Sequence, residues 1–265
     1  MSISPDTLNT AMEWYETGIA RVSSGQYNLG LSYLDRAIAV FGETRDMRHL
    51  TLARHHKLLA YLQDDRPEEA ESLFEDLMVG YTGLNDAYGQ ALALTHLAQC
   101  QESQDNSSEA LTNLHLARVI AESHQLASIQ VYVVQQMGAL YRKRDNHVQA
   151  LRLFELGEQI AGRDNLERLF SHLRFQRAET LVALGESGAA FALLEDVQTR
   201  LMNAQDYQEA LRPLSLLRQI YENREMHEDL DRVITLVHHC GQNLMQSNPG
   251  HQERRYSGPQ IGRGA

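Results

Sequence analysis

Apolar residues recur along this chain with a helical period, and the helical pattern itself repeats. Gly30, Ala70, Ala110, Ala150, Ala190 and Leu230 stand 40 residues apart. Four residues after each comes Leu34, Phe74, Leu114, Phe154, Leu194 or Ile234, and three further on Ala37, Leu77, Ala117, Gly157, Val197 or Val237. Steps of four and three keep all three positions on one face of a helix. The small residue lets a neighbouring helix come close, and the large one fills the space that follows. A helix before each of these carries a second row, Gly18, Leu58, Ala98, Gly138, Ala178 and Arg218. Three residues later stand Arg21, Tyr61, Gln101, Tyr141, Leu181 and Tyr221.

Helix breakers fall between the paired rows: Ser24-Gly25, Asp64 to Pro67, Gln104 to Ser107, Arg144 to Asn146, Leu184 to Ser187 and Asn223 to Glu225. Asp65 precedes Arg66-Pro67 as an N-cap would, with Pro67 tolerated in the first turn and Glu68-Glu69 suited to the helix dipole. Gly42, Gly83, Glu122-Ser123, Gly162 and Asn203 predict the breaks between units. The result is an all-α chain of about six helix–turn–helix units, over approximately 5–43, 44–83, 84–123, 124–163, 164–203 and 204–246. Ser4 is expected to cap the first helix, with Pro5 at its first position. The last helix is expected over about His227 to Met245, its apolar stripe Leu230, Val233, Ile234, Val237 and Leu244 backed by a polar outer face. Residues 247–265 turn glycine-rich and polar, with Arg254, Arg255 and Arg263 against Glu253, and read as a disordered tail.

These features resemble the tetratricopeptide repeat family, whose pattern is W-x₂-L-G-x₂-Y followed by A-x₃-F. The first unit carries Trp14, Gly18, Gly25, Tyr27, Gly30, Leu34 and Ala37 at the family's spacings, with Thr17 for leucine and Arg21 for tyrosine. Met137-Gly138, Tyr141, Ala150 and Phe154 match in the fourth unit, and Leu58, Tyr61, Ala70 and Phe74 in the second. The 40-residue period exceeds the family's usual ~34 and is similar to the long repeats of kinesin light chains, Pins-like adaptors, Rap-type regulators and MalT-like regulators. HEAT and armadillo repeats have comparable periods, but the small–large–small helix and the Gly25/Tyr27 turn fit the tetratricopeptide pattern better. Arg54, Lys57, Arg174 and Arg177 replace apolar residues in the second and fifth units, and are expected to snorkel or to pair with acids. The resemblance implies a right-handed α-solenoid over residues 1–246.

Composition narrows the function. With 24 Lys and Arg against 35 Asp and Glu, the formal charge is −11, so no electrostatic footprint for nucleic acid or an anionic membrane is present. The two cysteines, Cys100 and Cys240, form neither a disulfide framework nor a zinc motif. No leader-like segment and no apolar run of membrane-spanning length occurs, which predicts a cytoplasmic protein.

Glycine-rich phosphate loops, GxSxG elbows and HExxH motifs are missing, so a non-enzyme without cofactor or metal is expected. The 12 histidines invite a metal reading. His55-His56 and His238-His239 are adjacent, however, and neighbours on a helix point about 100° apart. His56 and His96 share a repeat position with Gln136 and Gln176, on first helices expected about 10 Å apart.

By resemblance, the first helix of each unit lines a concave groove. Its candidate partner-binding residues are Tyr15, His55, His56, His96, Gln99, Tyr132, Gln136, His172, Phe175, Gln176 and Arg212. The row His56, His96, Gln136, Gln176 offers hydrogen-bonding groups for a peptide backbone, and Tyr15, Tyr132 and Phe175 offer apolar anchors. Tyr15 and Ile19 stand where chaperone-binding members carry their first clamp residues, so a C-terminal carboxylate clamp is not expected. The implied function is an adaptor holding a peptide or helical segment of another protein. The alternative is a regulatory sensor whose repeats respond to a peptide or small ligand, and self-association is left open.

Overall fold

A computed structural model describes residues 5–247. All its regular structure is helical: α1 (Pro5–Ser23), α2 (Tyr27–Thr44), α3 (Met47–Gln63), α4 (Pro67–Glu71), α5 (Phe74–Gly83), α6 (Ala87–Ser103), α7 (Ser107–Ser123), α8 (Ala127–Lys143), α9 (His147–Arg163), α10 (Glu167–Ala183), α11 (Ser187–Asn203), α12 (Tyr207–Asn223) and α13 (His227–Ser247). Consecutive helices pack in pairs as helix–turn–helix units. The chain groups into two compact units, one ending at Asn165 and one beginning at Leu166. The first holds α1–α9, and the second holds α10–α13. In the first, the leading helices α1, α3, α6 and α8 pack successively against one another, and each is backed by its partner helix.

The chain turns by one device throughout. At residues 25, 45, 65 and onward in steps of 20 to 225, a residue in the turn between two helices has a left-handed backbone. Gly25 and Gly185 fill two of these sites, and nine residues other than glycine fill the rest. Around each, the amide of the left-handed residue donates back to a carbonyl in the last turn, as Gln125 does to Glu122 at 3.1 Å. The next amide reaches one residue further back, Leu126 to Ala121 at 2.9 Å. This pair of bonds satisfies carbonyls that a helix end leaves open. The 40-residue unit is therefore two helices joined by the same turn that joins it to its neighbours, and α3 and α6–α12 are each 17 residues long.

Three expectations shift accordingly. Gly42 and Gly162 lie inside the last turns of α2 and α9, because Arg45 and Asn165 take the left-handed position. Asp65 is such a residue rather than a cap; the N-cap is Arg66, with Pro67 opening α4. The helix of the second unit breaks at Ser72-Leu73, where the Ser72 hydroxyl donates to the Glu69 carbonyl at 2.7 Å and Leu73 N–H turns back to Ala70 at 3.2 Å. Side-chain capping occurs elsewhere, with Asp46, Asp86, Asn146 and Asp206 accepting from the amide three residues on. Ser4 and residues 248–265 lie outside the described residues.

Small residues are required where the register put them. A Cβ on Gly18 would lie 2.9 Å from Leu34 Cγ, and one on Gly138 2.5 Å from Phe154 Cε1. These are the small and large positions of the two rows, pressed together across α1·α2 and α8·α9. Leu34, Leu114, Phe154 and Leu194 are buried, whereas Ile234 at the same position of α13 is 47% exposed. Three of the four anomalous cations pair with acids: Arg54 with Asp76 at 3.0 Å, Lys57 with Asp35 at 2.6 Å and Arg174 with Asp196 at 3.3 Å. Lys57 and Arg174 also hold their charges over the rings of Tyr61 and Phe170, at 5.7 and 5.2 Å from the centroids.

Candidate functional site

Seven of the candidate residues sit on the leading helices of the first unit, and five of them form two hydrogen-bonded groups. Helix α3 carries His55 inward, at 4% exposure, where the Tyr81 hydroxyl of α5 bonds its Nδ1. Its Nε2 lies 2.9 Å from Nδ1 of His96 on α6, and the ring centroids are 5.0 Å apart and nearly perpendicular. His96 is buried too, at 6%, and meets the ring of Tyr132 on α8 edge-on at 6.2 Å. Burial pushes the His55 pKa down to about 3, with smaller contributions from His96 and His56, and that of His96 to about 4. Both imidazoles are thus neutral at pH 7.

One helical turn beyond His96, Gln99 Nε2 donates to the Tyr132 hydroxyl and to Gln136 Oε1, each at 3.1 Å. Gln99, Tyr132 and Gln136 are half-buried. Burial is the main cause of the raised Tyr132 pKa, so its hydroxyl keeps its proton. Thr95, Glu102 and Leu140 line the small cavity beside the two glutamines. At the other end, half-buried Tyr15 of α1 packs edge-on against His56 at 5.5 Å and Phe41 at 6.4 Å.

In the second unit, His172 and Gln176 of α10 bond one another at 3.0 Å. Phe175 is buried under the Arg212 guanidinium of α12, which lies 4.8 Å from its ring centroid. These two residues line an open cleft of about 480 Å³ together with Glu179, Leu211, Ser215 and Gln219.

The expected row is therefore rearranged. His96 bonds His55 rather than the repeat-equivalent His56, and Gln136 bonds Gln99. Tilted neighbouring helices bring together residues 41 or 37 apart in sequence rather than 40. Sequence reasoning missed Tyr81, which stands 40 residues after Phe41 on a face with no other polar group to draw notice. Among the described residues, no group of three or more His, Cys, Asp or Glu side chains could hold a metal ion, and no helix is long and apolar enough to cross a membrane.

No protein-family model matches the sequence, and no curated protein is significantly similar to it. Solved structures are similar in fold. The apo form of RapI aligns at TM-score 0.63 and 12% identity, over 90% of this chain and 85% of that one. A Rap protein complexed with competence and sporulation factor aligns at 0.64 and 16%, over 92% of this chain and 67% of that one. A Pyrococcus horikoshii signal transduction ATPase with a tetratricopeptide repeat sensor aligns at 0.69 and 12%, over 92% of this chain but only 38% of that one. Paired helices joined at a fixed interval, small residues pressed against large ones, and these alignments together give the chain the fold of the tetratricopeptide-like repeat proteins of Rap type.

Proposed function

We propose that this chain is a non-catalytic adaptor that binds an extended or helical segment of another protein along the leading helices. The observation that carries this reading is the Gln99–Tyr132–Gln136 group. It is half-buried and held in place by its own hydrogen bonds, and the Tyr132 hydroxyl and the Gln136 amide keep the capacity to donate further bonds. Such pre-oriented polar groups beside aromatic faces suit a peptide backbone, because little side-chain freedom is lost on binding. The neutral, buried histidines behind them brace the surface. Affinity capture from the native cells with wild type and a Gln99→Ala, Gln136→Ala double variant tests this. Loss of a partner from the variant is expected; identical recovery overturns the role of this face.

A regulatory sensor is the second reading. It is favoured by the bonds that run from α5 through α3 to α6, and from α6 to α8, so that contact at one unit is felt at the next. A change in small-angle scattering when the captured partner's segment is added would support it, and an unchanged profile would remove it.

A further inference from the structure

The backing helices of the first unit leave an apolar surface uncovered. Phe74 and Met78 of α5, Leu111 and Ile120 of α7 and Leu153 of α9 belong to one core cluster, which sets the three helices side by side. Outside that cluster stand Val79, Leu116, Val119 and Leu156, at 70, 51, 59 and 36% exposure. On α7, Leu116 and Val119 lie opposite the buried stripe Ala110, Leu114, Ala117 and Ala121. The pattern follows the repeat. Val79, Leu116 and Ile120 recur 40 residues on as Val119, Leu156 and Ile160. The same positions read Ala39, Asp76 and Gly80 one repeat earlier, and Gln159, Asp196 and Arg200 one repeat later. The apolar stretch is thus confined to α5, α7 and α9, and contiguous exposure of this kind marks a surface that another surface covers.

Charge is divided across the patch. Helix α5 adds Glu75 and Asp76 and no base, with Asp76 also meeting Arg54 at 3.0 Å. Helix α9 exposes Arg152 and Arg163 against Glu155, and Arg163 also meets Asp164 at 2.8 Å. The apolar centre on α7 therefore has an acidic edge on one side and a mainly basic edge on the other.

We propose that this surface is the contact between two copies of the chain, related by a two-fold axis through α7. An isologous contact needs a surface that complements itself. Rotation about that axis lays α5 of each copy on α9 of the other. Glu75 and Asp76 then meet the basic edge, twice over, while Leu116 and Val119 meet their counterparts in the middle. Size agrees as well. A helix of 17 residues is about 25 Å long, and three helices packed about 10 Å apart span roughly 30 Å. The face covers ~700 Å², close to the ~800 Å² that each partner buries in a standard interface. The contact does not use the leading helices, so the proposal stands apart from the adaptor reading.

Sedimentation equilibrium of the full chain over a range of concentrations should show monomer and dimer in exchange. Leu116→Glu, at an exposed position, should weaken the dimer at least about thirtyfold, as loss of a central interface side chain does. Charge exchange tests the two-fold arrangement itself. One chain carries Glu75→Arg and Asp76→Arg, and the other carries Arg152→Glu and Arg163→Glu. Each variant brings like charges together in its own dimer and should dissociate. An equimolar mixture should recover the dimer, because both contacts of the mixed pair are again opposite in charge. Thermal melts check that each variant is folded, and Glu75→Arg alone serves if loss of the Arg54 pair unfolds the first. A chain that is monomeric at every concentration, a dimer indifferent to Leu116→Glu, or charge variants that do not rescue one another overturns the proposal.

Discussion

His55 and His96 face each other across α3 and α6 with Nε2 of one 2.9 Å from Nδ1 of the other, and neither has room for a second proton between them. The pair joins the second and third repeats through a bond that needs at least one of the two rings neutral.

Acid should therefore loosen the first unit. Both histidines have folded-state pKa values far below the ordinary value of 6.5, about 3 for His55 and about 4 for His96. A depressed histidine pKa means the unfolded chain binds protons more readily. Its stabilising contribution is complete above pH 6.5 and is lost as pH falls toward 4. Each group adds a slope of about 1.4 kcal/mol per pH unit within that window. Melting temperature measured from pH 7.5 to 4.5 should fall more steeply for wild type than for His96→Gln. Parallel curves would contradict the assignment.

Close helix approach in the first unit depends on Gly30. A Cβ there would sit 2.6 Å from Val22 Cγ2 and 3.0 Å from the Gly18 carbonyl and the Val22 amide nitrogen, two backbone atoms that cannot rotate away. Gly30→Ala should cost about 1–3 kcal/mol despite the better helix propensity of alanine. Urea denaturation would detect the loss.

Left-handed turn residues offer the opposite effect. Gln125 holds φ 55° where Gly25 and Gly185 fill the equivalent sites with φ 76° and 79°. Gln125→Gly removes a backbone penalty of about 1–2 kcal/mol, partly offset by the entropy of glycine in the unfolded chain. A net gain of up to about 1 kcal/mol is expected. Gly25→Ala should lose a similar amount, and calorimetric melting of both variants reads the difference.

One repeat position should tolerate truncation at one end of the chain and not at the other. Leu34 is fully buried against Gly18, while Ile234 is 47% exposed on α13. Leu34→Ala should cost about 2–5 kcal/mol, and Ile234→Ala should stay within about 0.5 kcal/mol. Equal losses would mean that Ile234 is covered in solution.

Much of the architecture is legible along the chain. The spacing of Gly18 and Leu34, repeated in Gly138 and Phe154, specifies which helix faces meet, because a missing side chain and a large one are complementary wherever they recur. The acids that receive Arg54 and Lys57 were foreseeable in kind, since a cation on an apolar face needs a partner. The turn at every twentieth residue was harder to see, because glycine occupies only two of its left-handed positions and the backbone bonds that define it can be made by any residue.

The sequence alone determined the all-helical paired repeat, its period and the residues of its leading helices, because these depend on local periodicity and side-chain volume. Only the tertiary structure decided that His96 pairs with His55 rather than His56, that Tyr81 from a backing helix bonds His55, and that Gln99 ties Tyr132 to Gln136. Those choices depend on the tilt between neighbouring helices, which slides contacts along the face by a residue or a turn. That angle is the outcome of packing over the whole interface, and no single repeat carries it.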